Sequence, residues 1–499
     1  MKTTDQRTAS GVPHSAPRGS APRTSRLPAG LSGLAFTELW ERFSFYGLQG
    51  ILAFYLLYSI EEGGLNLGPT TAVSIVGAYG GAVYLAQIFG AWMGDRVLAP
   101  KKMVLWGGVV ITFGHVALAF LPGLVGLATG LGLIVLGTGA LKTNITSIVG
   151  FLLESDQSKR DAGFSYFYMA INIGAVIGPL ATGFAQSTAG FHLGFGLAAI
   201  GMIAALIQYM VSMRKLPAQS GLVRNPLPPR NLGKPLLVIA SIAVLIYLAW
   251  SSGLLNSANM ANATALTIVA ASAIYFTIML SSKVVTPVEK VRLRGFIPLF
   301  VCSGLYFGFL FQNFTTIAII ITERVDLNLG SWTFPAAWVT TMGPLAAVLA
   351  TPLIARMWSG MGARQPGAAN NFSFGMLQIG VGYLVLLGAS MVSGTRIPLL
   401  VMLLFMVIVG ISEVMVGPIG LSLATRIAPE KYKSQLVALI FLALAAGSSL
   451  SGLLGQIYST MNENVYLGMI AVIAIALGLA LRFFSTHIEG AINAGLTGK

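Results

Sequence analysis

Long apolar runs follow one another from Leu34 to Phe484, and short polar segments separate them. A helix needs about 20 consecutive apolar residues to cross a bilayer, and these runs have that length. Six runs precede a Pro-rich polar segment, two follow it, and six more come after a charged stretch. The pattern predicts fourteen spans near residues 36–60, 71–92, 103–121, 125–150, 163–187, 191–213, 235–255, 262–282, 296–322, 332–357, 371–391, 397–424, 434–459 and 464–485.

The order of these spans predicts an all-α polytopic membrane protein, built as two six-helix bundles with two extra transmembrane helices between them. The predicted divisions are a disordered cytosolic tail, an N-terminal bundle, a linker with the inserted hairpin, a C-terminal bundle and a cytosolic C-terminal tail, at residues 1–33, 34–213, 214–292, 293–485 and 486–499. The hairpin 235–282 contains no charged residue. We therefore expect it to be peripheral, to face lipid and to lie outside any pathway.

Composition agrees with a membrane protein, because 55% of the 499 residues are hydrophobic and only 9% are charged. Soluble proteins average about 25% charged residues. A chain with so few charges could not coat its surface in water. This excludes a soluble enzyme, a nucleic-acid-binding protein and a disordered scaffold.

The net charge of +14 is a topological signal. In the predicted topology, all of the 30 Lys and Arg residues lie on one side except Arg42, Lys142, Arg324 and Arg396. Cytosolic loops carry an excess of Lys and Arg, so both termini are predicted to be cytoplasmic. The single cysteine, Cys302, excludes an intrachain disulfide and a cysteine metal cluster.

Charged residues inside spans are functional candidates, because each costs about 2.5–3.5 kcal/mol on insertion scales. Span 1 contains Glu38, Glu41 and Arg42. At about 100° per residue, these side chains share one helix face with Tyr46 and Gln49. The alternative interpretation is that residues 38–42 form an interfacial first turn, whose charges reach the cytosol.

Two more buried charges lie in other spans: Lys142 follows small residues in span 4, and Glu413 precedes Gly417 and Pro418 in span 10. The Gly-Pro pair is expected to bend or open the helix just past the acid, as at transporter binding sites. Three carboxylates and two cations leave one acid without a partner, and such an acid tends to hold a proton. The hypothesis is proton-coupled uptake of a zwitterion, with its ammonium on Glu413 and its carboxylate on Arg42 or Lys142.

The loop after span 2, residues 90–96, is similar to the Gly-x-x-x-Asp-Arg loop of major facilitator transporters, with Ala91 in the usual Gly place. A simple helix stop is the alternative interpretation. We assign gating to four residues, Asp95, Arg96, Gly417 and Pro418.

Residues 38–47 resemble the ExxERFxYYG motif of proton-dependent oligopeptide transporters (the POT family), with Phe45 replacing its first Tyr. Residues 137–144, 164–174 and 413–421 look like stretches of the same family. Two extra helices between the bundles are the arrangement of its bacterial members. The similarity extends from about Leu34 to Phe484.

This resemblance implies import of di- and tripeptides by proton symport, with alternating access of the two bundles. It assigns proton coupling to Glu38, Glu41, Arg42 and Lys142. It assigns substrate binding to Arg42, Tyr46, Tyr84, Lys142, Asn172 and Glu413. The cations would attract the peptide carboxylate, Glu413 and Asn172 would hold the amino end, and the tyrosines would shape the pocket.

Two positions depart from the family. Phe311 stands where the family usually has an acid before Gln312, and Gly343 stands where it often has an Asn before the proline. The first acid is tied to proton coupling and gating, and the second amide helps to hold the peptide amino end. A major facilitator transporter for another small zwitterion or organic solute is therefore the alternative function.

The remaining expectations concern class and partners. The sequence contains no HExxH motif, phosphate loop or Ser–His pair on one span, so we expect neither an enzyme nor a resident cofactor or metal. A compact cluster of opposed charges suits binding and release better than a channel pore. Expected partners are a peptide substrate, protons and the lipid bilayer, with no nucleic acid. We expect a monomer in the bacterial plasma (inner) membrane.

Overall fold

The protein is described by a computed structural model, in which residues 28, 30–153, 157–228, 230 and 233–496 can be described. The predicted tail 1–33 lies mostly outside these residues. The N-terminal half contains α1 (Leu31–Leu57), α2 (Pro69–Arg96), α3 (Pro100–Phe120), α4 (Gly123–Leu152), α5 (Gln157–Ala189) and α6 (Phe191–Ser212). The inserted hairpin contains α7 (Gly233–Ser251) and α8 (Met260–Ser281).

The C-terminal half contains α9 (Pro287–Leu310), α10 (Thr316–Arg324), α11 (Ala336–Met361), α12 (Ala368–Val392), α13 (Leu399–Ile427), α14 (Lys433–Tyr458), α15 (Glu463–Phe483) and α16 (Ser485–Ile492). Two-residue strands pair in the loops, β1 (Val325–Asp326) in parallel with β4 (Ile397–Pro398), and β2 (Asn328–Leu329) antiparallel to β3 (Trp332–Thr333). The short α16 lies in the predicted tail 486–499 and packs against the start of α9, where its Ala491 contacts Gly295.

Within the described residues, 12 helical segments are long and apolar enough to cross a membrane. Helix α1 is not among these 12 segments because its charged face lowers its mean hydropathy. Helix α7 is not among them either, because its apolar segment Ile239–Ser251 is shorter than a membrane span. The helix order follows the predicted six, two and six. The polytopic all-α fold is thus confirmed, while the total of fourteen spans stays a prediction.

Small residues let the helices of each bundle approach closely. Gly174 and Gly178 of α5 lie against the backbone of α1, where a Cβ would collide with the carbonyl oxygens of Leu39 and Phe43. Lipid tails are as apolar as the side chains, so close backbone packing is a main source of helix association in a membrane. The glycines of α5 therefore hold the charged face of α1 in place.

The two bundles touch at the end opposite the chain termini. Trp338 of α11 donates from Nε1 to the carbonyl oxygen of Leu180 in α5 over 2.8 Å. A Cβ on Gly77 of α2 would lie 2.7 Å from the Cα of Gly452 in α14. At the termini end, Tyr168 of α5 is 54% exposed. The bundles therefore close on each other at the end opposite the termini, while Tyr168 stays exposed at the termini end.

The inserted hairpin packs against both bundles, and its predicted position outside the pathway, facing lipid, stays a prediction for residues 235–282. Helix α7 is largely exposed, and α8 packs against α2 and α14, which also contact each other, while side chains such as Leu266 and Val269 stay exposed. The Ala261 amide donates to Ser74 Oγ of α2 over 3.2 Å, and Gln456 Nε2 of α14 donates to the Ala258 carbonyl oxygen over 3.0 Å. Helix α8 thus joins both bundles near their closed end.

The two basic residues predicted on the external side are both paired there. Arg324 lies 3.0 Å from Glu463, measured from Nη1 to Oε1, and also donates from Nη2 to the Gly394 carbonyl oxygen over 3.0 Å. Arg396 lies 4.0 Å from Asp326 across the β1–β4 pair. These contacts connect the loops that cover the closed end of the C-terminal bundle.

The break in a helix occurs at a place other than the one predicted. Helix α13 continues through Pro418, so it does not open after Glu413, while a bend at this point stays a prediction. The predicted span 296–322 is the discontinuous one, because α9 and α10 are separated by a 3₁₀ turn at Phe311–Phe314. That span also starts earlier, at Pro287, where Thr286 and Glu289 form a capping box.

Candidate functional site

The buried charges of the N-terminal bundle form two ion pairs. Arg42 binds Glu41 through both Nε and Nη2, and the Nη2–Oε1 distance is 2.6 Å. Lys142, carried by α4, donates from Nζ to Glu38 Oε1. The same oxygen lies 3.6 Å from Arg42 Nε, so the pairs are joined into one network. The four residues predicted for proton coupling therefore lie together.

Burial rejects the interfacial interpretation of residues 38–42. Glu38, Glu41 and Arg42 are exposed by 0%, 1% and 6%, and Glu38 lies two turns inside a helix that begins at Leu31. A charge that reaches the cytosol would keep its end in water. The charges of α1 instead face the interior, as the one-sided pattern predicts.

Aromatic rings surround the guanidinium of Arg42. Its Cζ lies 4.8 Å from the ring centre of Phe45 and 5.9 Å from that of Tyr46, within the range of cation–π attraction. Trp40 and Phe43 point away and pack on Gly201 of α6. The helix thus has a binding face and a packing face.

Glu413 lies on the opposite wall, on α13, and is half-buried. Among the described residues it has no hydrogen-bond or ion-pair partner, in contrast with the carboxylates of α1. Beside it, the Tyr306 hydroxyl lies 2.7 Å from Oγ of Ser412, the preceding residue of α13. The acid that the charge count leaves unpaired is therefore Glu413.

An aromatic contact crosses the space between the bundles. Tyr84 of α2 stacks on Phe311, with ring centres 6.4 Å apart and 14° between the planes. Phe307 stacks behind Phe311 at 5.6 Å. At the position where the resemblance leads one to expect an acid, the structure therefore has the apolar ring of Phe311 between two other aromatic rings.

Asn172 of α5 is half-buried, and its Nδ2 donates over 3.1 Å to the carbonyl oxygen of Tyr168, one turn earlier in its own helix. Its Oδ1 is not engaged in that bond. Tyr168 was not among the site residues predicted from the sequence. Helical spacing could have indicated it, since Tyr168 and Asn172 are four residues apart and share a helix face.

The predicted gating residues lie at two separate places. Asp95 and Arg96 end α2 and are bound by the linker that follows α6, through Asn225 Nδ2 to Asp95 Oδ2 at 3.1 Å and Leu227 N to the Arg96 carbonyl oxygen at 2.9 Å. Gly417 and Pro418 lie one turn beyond Glu413. No hydrogen bond or ion pair among the described residues joins the two pairs.

Comparison with known proteins decides the family. Residues 101–473 match the sequence profile of the POT family. The di-/tripeptide transporter of Lactococcus lactis subsp. cremoris is 36% identical over 470 residues, which are 91% of this chain and 94% of that protein. The chain belongs to the POT family.

Solved structures of POT proteins have the same fold. A peptide transporter POT in complex with sulfate is 36% identical and has a TM-score of 0.89, covering 93% of this chain and 96% of that one. A POT family transporter in complex with 5-aminolevulinic acid is 35% identical, with a TM-score of 0.88 over 92% and 97%. This POT protein therefore has the major facilitator fold and is a multi-pass membrane transporter, not an enzyme.

Proposed function

We propose that this POT-family transporter imports di- and tripeptides together with protons, by alternating access of its two bundles. The observation that carries the proposal is the division of charge across the cavity. Two internally neutralised pairs, Glu38–Lys142 and Glu41–Arg42, face a single unpaired carboxylate, Glu413. A zwitterion placed between these walls meets the Glu413 carboxylate at its ammonium end and, once a proton neutralises Glu41, the released Arg42 at its carboxylate end.

In this proposal the peptide carboxylate binds Arg42 and Lys142, because a guanidinium holds a carboxylate through two parallel hydrogen bonds. The peptide ammonium binds Glu413, with Asn172 alongside. Tyr46 and Tyr84 line the space between the two ends. Each charged end of the peptide thus has a residue of opposite charge to bind.

Proton coupling follows from competition for Arg42. As long as Glu41 is ionised, it occupies both Nε and Nη2 of the guanidinium. A proton on Glu41 removes its charge, and the peptide carboxylate can then take its place on Arg42. The substrate anion and the proton therefore enter together. Glu38 and Lys142 take part as the second pair of the same network.

The gating proposal concerns the open end of the cavity. Closing that end requires the termini-side halves of α4 and α5 to approach those of α13 and α14. We assign the movement on the C-terminal side to Gly417 and Pro418, since Pro418 removes one backbone hydrogen bond within α13. On the N-terminal side we assign it to Asp95 and Arg96, whose contact with Asn225 would rearrange.

We further propose a location in the bacterial plasma membrane, with both termini cytoplasmic and the protein acting as a monomer. The distribution of Lys and Arg supports the orientation. With cytoplasmic termini, the open end of the cavity faces the cytosol. The structure then corresponds to the state that releases substrate inward.

A competition panel tests the function directly. Purified protein in liposomes takes up radiolabelled dialanine, and di- and tripeptides, single amino acids and 5-aminolevulinic acid compete. We expect di- and tripeptides to compete and single amino acids to fail. If peptides do not compete while 5-aminolevulinic acid does, the alternative of another small zwitterion replaces the peptide proposal.

Phe311→Glu is expected to change the pH dependence of uptake. The exchange places an acid in the apolar contact with Tyr84, where an ionised carboxylate is disfavoured. As pH rises from 5.5 to 8, uptake by the variant should therefore fall about threefold more than uptake by the wild type. This factor corresponds to a cost of about 0.7 kcal/mol for ionising the introduced carboxylate. Phe311→Leu removes the ring without adding an acid and is the control. Identical pH profiles for the wild type and Phe311→Glu contradict the prediction.

A further inference from the structure

The break between α9 and α10 places an unusual set of polar side chains inside the C-terminal bundle. Most of them are bonded: Thr315 Oγ1 donates to the Ser451 carbonyl oxygen over 3.1 Å, and Tyr466 donates to Gln312 Oε1 over 2.5 Å. Interrupted helices near the middle of a membrane are places where transporters bind substrates and ions. The polar side chains at this break therefore need individual explanation.

At the break, the side-chain amide of Asn313 has no hydrogen-bond partner among the described residues. It is 6% exposed, and its Oδ1 is buried without a hydrogen bond to any described residue. Its Nδ2 makes no hydrogen bond to them either. Buried polar groups in proteins are almost always paired, and the exceptions are often functional. A ligand that enters the cavity would supply the missing partner.

The surroundings of Asn313 indicate which part of a ligand would bond to its amide. Its Nδ2 lies 3.9 Å from the position that a Cβ on Gly343 would occupy. The backbone of Gly343 is packed directly on Gly410, which lies one helical turn before Glu413 on α13. The amide thus occupies the gap beside Gly343, next to the turn that leads to the unpaired acid.

We propose that Asn313 is a substrate-binding residue, which accepts a hydrogen bond from the peptide ammonium beside Glu413. An ammonium has three donors, and in a site of low dielectric each needs an acceptor. Glu413 alone cannot satisfy all three in a fixed orientation. The resemblance leads one to expect a side-chain amide at position 343 of α11, where this chain has a glycine. Asn313, in the turn between α9 and α10, supplies a side-chain amide next to that position. The inference rests on the proposed function, since it names the group that holds one end of the peptide.

The experiment compares two competitors of dialanine uptake in liposomes: dialanine itself and propionyl-alanine, which lacks only the ammonium. Asn313→Ala should raise the half-inhibitory concentration of dialanine about tenfold, the size of one hydrogen bond to a charged group. That of propionyl-alanine should change less than about twofold. A purely structural role would move both values together. Asn313→Ser is the second variant, and the same selective loss is expected because its hydroxyl is too short.

Rescue and control variants complete the test. Gly343→Asn in the Asn313→Ala background should restore dialanine affinity, because a Cβ at Gly343 meets its nearest neighbour, the Met406 carbonyl oxygen, at an ordinary 3.6 Å. Asn371→Ala is the matched control, since Asn371 is also buried with an Oδ1 that has no partner among the described residues, while its Nδ2 donates to the carbonyl oxygens of Pro366 and Gly367 just before α12. It should leave the ratio of the two competitors unchanged.

The outcomes separate this inference from the function. Equal losses for both competitors, an unchanged dialanine affinity in both Asn313 variants, or no restoration by Gly343→Asn overturns the role of Asn313. Wild-type protein that does not bind dialanine overturns the proposed function instead.

Discussion

Glu41→Gln is expected to abolish uphill dipeptide uptake while leaving exchange intact. Glutamine resembles the protonated acid, so Arg42 stays free to bind the peptide carboxylate but no proton is bound or released at this position. Peptide should still exchange in counterflow without a gradient. Accumulation driven by an imposed proton gradient should fall to the background level.

Arg42→Gln should abolish both activities, since it removes the cation that binds the substrate. Truncating one partner of a buried, hydrogen-bonded charge pair between protein and ligand costs about 2–5 kcal/mol, or roughly thirtyfold or more in binding. Glu62→Gln is the control for both variants, because Glu62 lies in an exposed loop and its side chain bonds to Ser59. Normal gradient-driven uptake by both α1 variants would contradict the coupling mechanism.

Glu413→Gln carries the second large expected effect, on substrate affinity. Glu413 is the only one of the five buried charges in these spans that has no partner among the described residues, so its negative charge is available for the ligand. A hydrogen bond between charged groups contributes about 1.5–3 kcal/mol, so dipeptide affinity should fall at least about tenfold. The measurement is a titration of purified protein with dialanine and with propionyl-alanine.

The loss should be confined to ligands that have an ammonium. Propionyl-alanine should bind the variant as well as the wild type, because its carboxylate end still meets Arg42 and Lys142. Since a glutamine side chain has the shape of glutamate without its charge, the yield of folded protein should not fall. Equal affinity of the variant and the wild type for dialanine would show that Glu413 does not hold the amino end.

Much of the site could be predicted from the sequence because charge is scarce in the spans. A carboxylate or cation in an apolar run is costly, so Glu38, Glu41, Arg42, Lys142 and Glu413 are conspicuous. Helical periodicity placed the α1 charges on one face, and their burial confirms it. The pairing could not be predicted, since neighbours such as Glu41 and Arg42 do not face each other by helical spacing alone.

The position of the helix break depends on contacts between distant segments. Gly417 and Pro418 suggested an opening in α13, yet a transmembrane helix tolerates a proline when its neighbours re-satisfy the backbone. The break at Phe311–Phe314 is instead stabilised by Ser451 and Tyr466, which lie more than a hundred residues away. Residues 309–329, which include the break and Asn313, contain neither glycine nor proline. The packing of α8 against α2 and α14 likewise depends on tertiary contacts, through Ser74 and Gln456.

Peptide-driven proton entry tests the central claim most directly. Wild-type protein is placed in liposomes that contain a pH-sensitive dye, and dialanine is added outside under an inward proton gradient. We predict faster acidification of the lumen on peptide addition, together with accumulation of labelled dialanine that an uncoupler abolishes. Accumulation that is unchanged by the uncoupler, with no peptide-dependent acidification, would contradict proton symport.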